Sequence, residues 1–451
     1  IDVSGLHSFK SEAPYQREEL TMQMVLRTLS VGELRSPNST ARNHNRQQRA
    51  KARALFAEQG IVVPIIVDDH MRIIDGVLRF ETAKELGLDE LNAVVVSNST
   101  DAQLLQLELS LNRLAEDSAW NAEHLKTKFE QLIEYKVDLT FTGFETAEID
   151  NILSFEVIEP EDQDWASADP VTQVGDIWRV GDHIIACGNA LYPAEVLGGV
   201  LAHVGLAKTC ITDPPYNVPT SGHIRTTQKH AEFAMAAGEM DDQGFTEFLS
   251  RSITASLPYT DPCALYYIFM DWRHLEHLSA AAQANALVQQ NLCVWSKTNA
   301  GMGSFYRSQH ELVGVYSRSD RFQNNIQLGS SGRYRSNVWV YEGVNSFGAT
   351  RADDLTDHPT IKPTQMIADI ILDCTSLGDW VYDPFLGSGT TCQAAEQTRR
   401  RCLGIEYEPR YVDVAIKRLR DRCGLDAIHD ASGLSYEQIA TERNSKRGGQ
   451  S

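Results

Sequence analysis

Cys210-Ile211-Thr212-Asp213-Pro214-Pro215-Tyr216-Asn217 runs a short apolar strand into an acid, two prolines and an aromatic residue. Consecutive prolines lack both N–H donors, so neither a sheet ladder nor a helix continues through them. Pro214 and Pro215 therefore hold an extended turn at the carboxyl end of the strand. Asp213, the Pro214 carbonyl and the Tyr216 ring then surround one small concavity. The two acceptors can take two N–H bonds, and the ring can stack. That combination suits a flat ring bearing an amino group. A strand-end turn with a surface tyrosine would use the same residues.

A second run joins Trp380-Val381-Tyr382-Asp383-Pro384-Phe385-Leu386-Gly387-Ser388-Gly389-Thr390-Thr391 to a helix-like Cys392–Gln397 and then to Cys402-Leu403-Gly404-Ile405-Glu406. The order is strand, Gly-rich turn, helix, strand, acid. Glycines let a backbone approach a ligand closely at a strand's carboxyl end. An acid ending the next strand is placed to accept ribose hydroxyls. The pattern is G-x-G, without the G-x-G-x-x-G of a dinucleotide site or the G-K-[ST] of a P-loop. A nucleoside without phosphates fits it better than a nucleotide.

These motifs need elements to hold them. Residues 1–22 read as a polar tail. A β-branched strand over 61–67, a second over 71–76, a helix from Arg79 to Leu86 and a strand over 91–96 follow a helix near 47–59. Residues 101–136 read as helical, and a short helix spans 146–153. Residues 156–170 hold six acids, two prolines and no basic residue, which marks a linker at 156–171. Beyond it, a hairpin around Gly181-Asp182 opens alternating strands and helices to about residue 422, an α/β pattern. Residues 423–451 read as a C-terminal tail.

At 451 residues the chain is too long for one ordinary domain, and two folded units account for it. The net charge of -20 excludes a generally basic nucleic-acid coat. The eight cysteines form no C-x-x-C pair, so buried thiols in a reducing cytoplasm are expected and no metal site is. No apolar run is long enough for a membrane span.

With His358-Pro359-Thr360-Ile361-Lys362-Pro363 before the second motif, the pair resembles the amino-directed DNA methyltransferases. D-P-P-Y is similar to their catalytic motif, and D-P-F-x-G-S-G-T-T to their S-adenosylmethionine motif. The order resembles the beta group of that family, and Trp295-Ser296-Lys297 and His310-Glu311 match its middle segments. The resemblance covers about residues 172–422. It implies an α/β, Rossmann-like domain with a mostly parallel sheet and helices on both faces. It also implies the roles. Asp213 and the Pro214 carbonyl hold the target amino group beside Pro215, and Tyr216 stacks on the base. Asp383, Phe385, Gly387, Gly389 and Thr390 line the cofactor, and Glu406 takes its ribose hydroxyls. Asp at the first motif position leans toward adenine N6 over cytosine N4 by family usage. Cys187-Gly188-Asn189 departs from the family where many relatives carry an Asp.

Target recognition is expected over 318–357, where Arg318, Arg321, Arg333, Arg335 and Arg351 interleave with aromatic residues. Arg225 and Lys229 form a second basic loop. Residues 23–155 resemble a smaller α+β ParB/sulfiredoxin-like domain. Its phosphate-binding box reads Gly76-Val77-Leu78-Arg79 here, with the Glu and first Arg replaced by apolar residues, and Asn112-Arg113 keeps part of a second box. That departure speaks against CTP binding. The partners expected are double-stranded DNA and, for a homodimer, a second copy of the chain. A ParB-like adaptor with an inactive methyltransferase fold, or methylation of RNA or a protein amide, would use the same architecture.

Overall fold

The computed structural model describes residues 22–37, 44–116, 120–155, 157–158, 169–200, 204–218, 238–298, 305–326, 333–342 and 362–448. All but the last residue of the expected tail at 1–22, the basic loop with Arg225 and Lys229, and Arg351 and His358 lie outside them. Contacts divide the chain into two units, 1–144 and 145–451.

In the first unit the β-branched runs form β1 (Gln23–Ser30), β2 (Ile65–Asp68), β3 (Ile73–Asp75) and β4 (Glu90–Ser97). They make one sheet in the order β1-β4-β2-β3. Pro64 stands just before β2, so the strand begins later than the 61–67 expected, because proline gives the ladder no donor. Helix α1 (Arg46–Gln59) lies between β1 and β2 and α2 (Val77–Glu85) between β3 and β4, and Phe80 and Ala83 of α2 bury against Ile65, Val67, Leu91 and Ala93. The helical stretch at 101–136 is two helices, α3 (Asp101–Glu116) and α4 (Ala122–Glu134), the second capped by Asn121. Gly76 takes φ +97°, and a Cβ there would meet Ile65 at 2.7 Å. The arginine of that turn, Arg79, is paired with Asp75 at 2.5 Å.

The second unit begins with α5 (Thr146–Leu153), so the division falls at 144/145, ahead of the acidic run expected to be the linker. A buried ion pair is one of the ties that hold α5 there. Asp150 of α5 is buried, and its carboxylate receives both Nη atoms of Arg400 at 3.0 and 2.9 Å. Arg400 is itself fully buried and also donates to the Thr375 and Thr398 carbonyls.

The remaining elements are β5 (Ile177–Val180), β6 (His183–Cys187), α6 (Pro193–Leu197), β7 (Ala207–Thr212), α7 (Asp242–Ser256), β8 (Thr260–Met270), α8 (Leu275–Ala284), β9 (Val288–Ser296), β10 (His310–Ser317), β11 (Val338–Val340), α9 (Thr364–Cys374), β12 (Trp380–Asp383), α10 (Thr390–Gln397), β13 (Arg401–Glu406), α11 (Pro409–Cys423), β14 (Ala427–His429) and α12 (Tyr436–Gly448). The ten strands form one sheet, ordered β11-β9-β10-β8-β7-β12-β13-β6-β5-β14. Its centre, β8-β7-β12-β13-β6, is parallel, and β10, β5 and β14 pair antiparallel at the flanks. Side chains alternate between faces, as strand geometry requires. Ile185, Ile211 and Tyr267 pack with α9, α10, α11 and α12, while Ile184, Cys210 and Tyr266 pack with α6, α7 and α8.

The end of the chain is not a tail. Tyr436 and Ile439 of α12 are buried, and Arg443 binds Asp176 at 2.5 Å while donating to the Val171 carbonyl. Its polar composition hid two apolar anchors on one helix face. The eight cysteines are unpaired, and six are buried. Among the described residues no helix is long and apolar enough to cross a membrane.

Removing one member of a buried ion pair strands the other charge. Asp150→Ala should therefore lower unfolding stability by roughly 3–5 kcal/mol in urea titration. An unchanged midpoint would show that α5 is not part of the second unit's core.

Candidate active site

β7, β12 and β13 lie side by side and parallel, so their carboxyl ends bring Asp213, Asp383 and Glu406 to one edge of the sheet. The Asp213 turn is tied down by Asn217, which sits at φ +55°. The Asn217 side chain donates to the Met240 carbonyl at 2.7 Å and accepts from the Met240 and Gly238 amides.

Both Asp213 oxygens are engaged. Oδ1 accepts the Tyr216 hydroxyl at 2.6 Å, and Oδ2 takes Lys362 Nζ at 2.7 Å. Lys362 stands just before α9 with only 8% of its side chain exposed. It also reaches Glu311 Oε2 at 3.0 Å and lies within 6 Å of the ring centres of Phe269, Tyr216 and Trp295. Glu311 pairs in turn with Lys297. The Tyr216 hydroxyl lies 3.3 Å from Glu311 Oε2 as well. Two carboxylates and two ammonium groups thus form one cluster whose formal charges cancel.

The charges bias one another. Burial pushes the Asp213 carboxyl above its usual range, against the pull of Lys362. Glu311 suffers the same burial, but Lys362 and Lys297 together hold it down to about 2. Burial opposes the Lys362 ammonium, yet Asp213 and Glu311 raise it above its ordinary value. Burial and the two carboxylates keep Tyr216 protonated, so its hydroxyl remains a donor. The sequence reading gives Lys297, Glu311 and Lys362 no role. Lys297 and Glu311 are charges at strand ends and Lys362 is a charge before a helix, and only the fold brings them onto Asp213.

The Gly-rich turn is built differently. Asp383 points inward, accepting the Phe385 amide at 3.1 Å and the Thr391 hydroxyl at 2.6 Å. It shapes the turn from below. Phe385 packs 6.0 Å from Phe248. Glu406 accepts the Gly387 and Glu408 amides, each at 2.8 Å. Burial raises Asp383 and Glu406 each to about 7. Gly387 has φ +57° with open space where a Cβ would point, whereas a Cβ on Gly389, at φ +87°, would meet Ala415 at 2.6 Å. Thr390 is buried at the start of α10. Arg418 of α11, which the motif reading passed over, is buried and donates to the Ser388 carbonyl and hydroxyl at 2.8 and 2.7 Å.

The arginines expected to read DNA lie elsewhere. Arg333 and Arg335 are largely buried and paired with Asp369 and Asp373 of α9, Arg333 to Asp373 at 2.9 Å and Arg335 to Asp373 at 2.8 Å. They clamp the β11 segment and are not free for phosphate. Arg318 and Arg321 are exposed, but β10 runs antiparallel to β8. It carries them to the opposite edge, about 16 Å of strand from the level of Asp213. Among the described residues, exposed groups that follow or precede the strand ends of this edge include Trp272 and Arg273 after β8, and Phe305, Tyr306 and Arg307 before β10. Scattered single residues of this kind leave no run for a sequence reading to find.

Residues 207–417 match the family model described as DNA methylase. This stretch, a little under half of the chain, is similar to the amino-directed (N6-adenine or N4-cytosine) DNA methylases. Residues 123–175 match a ParB-methyltransferase HTH domain, which spans the division between the two units. Type II methyltransferase M.Cfr9I of Citrobacter freundii is 32% identical over 162 residues, 34% of this chain and 50% of that protein. Type II methyltransferase M.HpaI of Haemophilus parainfluenzae is 25% identical over 269 residues, 55% of this chain and 78% of that protein. The chain thus spans about half the length of the first of these relatives. A solved structure titled "crystal structure of M1.HpyAVI-SAM complex" is 22% identical, covers 52% of this chain and 98% of that chain, and superposes with a TM-score of 0.37.

The contact between Gly389 and Ala415 sets a sharp steric limit. Gly389→Ala adds a methyl group against α11 and forces an L residue to positive φ. It should cost about 1–3 kcal/mol, read as a lower thermal midpoint. A neutral result would mean that the turn and α11 can separate freely.

Proposed function

We propose that the protein transfers a methyl group from S-adenosylmethionine to the exocyclic amino group of a base in double-stranded DNA, with adenine N6 as the acceptor. The observation that carries this reading is the adjacency of the Asp213 turn and the glycine turn at neighbouring parallel strand ends. The adenine assignment rests on Asp at the first motif position.

The residues fit the cofactor. Gly387 leaves open space at the turn, and Glu406 offers a carboxylate whose present partners are backbone amides. Glu406 would accept the ribose hydroxyls, and the Gly387–Gly389 backbone would line the cofactor beside Phe385 and Thr390. When bound, S-adenosylmethionine supplies an electrophilic methyl group on a sulfonium centre. Asp213 and the Pro214 carbonyl accept the two amino hydrogens and so aim the nitrogen. Tyr216 stacks on the base. Asp213 Oδ1 is placed to receive the proton that the nitrogen gives up. No covalent intermediate is needed, so alignment supplies most of the rate. A paired base cannot enter such a pocket and must leave the duplex. Trp272, Arg273, Phe305, Tyr306 and Arg307 are the described groups placed to meet the opened strand.

Asp213→Ala should cut methyl incorporation into unmethylated DNA by roughly 10²–10³-fold, the scale of losing one aligned polar group. Cofactor binding by calorimetry should survive. Transfer at the wild-type rate would refute the assignment, and nucleoside analysis of the product separates N6-methyladenine from N4-methylcytosine.

Glu406 supplies a pH test. An acid raised to about 7 in the free protein is half protonated there, and accepting hydroxyl donors favours its ionised form. Binding must therefore tighten as pH rises. S-adenosylmethionine affinity should increase roughly tenfold from pH 6 to pH 8, and Glu406→Gln should flatten the profile. A profile unchanged by that substitution would remove Glu406 from the ribose site.

A further inference from the structure

The Asp213 carboxylate must be open to receive an amino group, yet in this structure its Oδ1 is already taken by the Tyr216 hydroxyl. That hydroxyl holds one of the two lone-pair sites on Oδ1 and competes there with an incoming amino hydrogen. A buried hydroxyl left without an acceptor is unfavourable, and that cost would count directly against base capture. Glu311 Oε2 stands 3.3 Å from the same hydroxyl oxygen. We propose that Glu311 is a positioning residue that takes over the Tyr216 hydroxyl as the target base arrives, freeing Asp213 for the amino group.

The surroundings equip Glu311 for this task. It lies on β10, while Tyr216 follows β7, Lys297 follows β9 and Lys362 precedes α9, so three other segments converge on it. Burial opposes its charge, but Lys362 and Lys297 keep it ionised, and an ionised carboxylate is an acceptor only. Tyr216 stays protonated, so it always brings a proton to donate. Lys362 touches both carboxylates, at 2.7 Å on Asp213 and 3.0 Å on Glu311. It neutralises either arrangement and need not move. The hydroxyl then exchanges one charged acceptor for another, no covalent bond changes, and the Tyr216 ring remains beside the base. The exchange leaves Asp213 Oδ2 on Lys362 and opens Oδ1 alone, which fixes the side from which the amino group is held.

This inference rests on the methyltransferase reading, and a double-mutant cycle separates the two. Methyl incorporation from labelled S-adenosylmethionine into unmethylated genomic DNA is followed for the wild type, Glu311→Leu, Tyr216→Phe and the double variant. Thermal melting and cofactor binding confirm that each is folded. Glu311→Leu removes every acceptor at this position and should raise KM for DNA by about tenfold or more, whereas in the Tyr216→Phe background, with no hydroxyl to receive, the same change should alter it less than about twofold. Glu311→Asp keeps the charge opposite Lys297 and Lys362 but withdraws the acceptor, so it should resemble Glu311→Leu. Equal losses from Glu311→Leu in both backgrounds, or full recovery in Glu311→Asp, would overturn the proposal, since Glu311 would then act through the lysines alone. A wild-type protein that methylates no DNA would instead refute the methyltransferase reading, and this inference with it.

Discussion

The Lys362 ammonium is the charge on which the site depends. Asp213 and Glu311 both sit where burial works against ionisation, and one cation reaches both of them. Two carboxylates this close would otherwise repel, and one would hold a proton. Lys362 removes that outcome, with Lys297 as the second counter-charge. The aromatic rings of Phe269, Tyr216 and Trp295 around Nζ exclude water and add an attractive face. The cluster can therefore be buried, charged and neutral overall at once.

The cofactor side follows a different rule. There a carboxylate is spent on the backbone. Asp383 fixes the turn through the Phe385 amide and the Thr391 hydroxyl, and Arg418 holds the Ser388 carbonyl from the other side. Gly389 lets α10 approach α11 to within contact of Ala415. The turn is consequently rigid where it packs and open at Gly387, where a ligand's atoms would lie. Catalysis by alignment needs this division, because a loose turn would misplace the reacting atoms.

The same logic of buried polar ties decides where the second unit ends. α5 belongs to it through Asp150 and Arg400, and α12 through Arg443 and Asp176. Arg333 and Arg335 do likewise for the β11 segment through Asp369 and Asp373. In each case a charged residue that reads as surface in one dimension is an internal strut in three. A net charge of -20 is thus compatible with a buried arginine framework, since the framework's partners account for part of the acid.

The chain's order of strands and helices, the two turns and their likeness to amino-directed methyltransferases were legible from residues alone. Those features are local: prolines end a ladder, glycines permit positive φ, and alternation marks a strand. Asp213 and Glu406 could be singled out because each ends a strand. What the sequence could not assign was partnership. Whether an arginine meets phosphate or aspartate depends on which helix lies under it, and α9 lies under Arg333 and Arg335. Whether Arg318 stands near the site depends on the direction of β10, which only sheet pairing reveals. Lys297, Glu311 and Lys362 are dispersed over 66 positions of sequence. They meet because β9 and β10 bring their ends to the edge where Asp213 stands, and low-dielectric burial makes that meeting decisive.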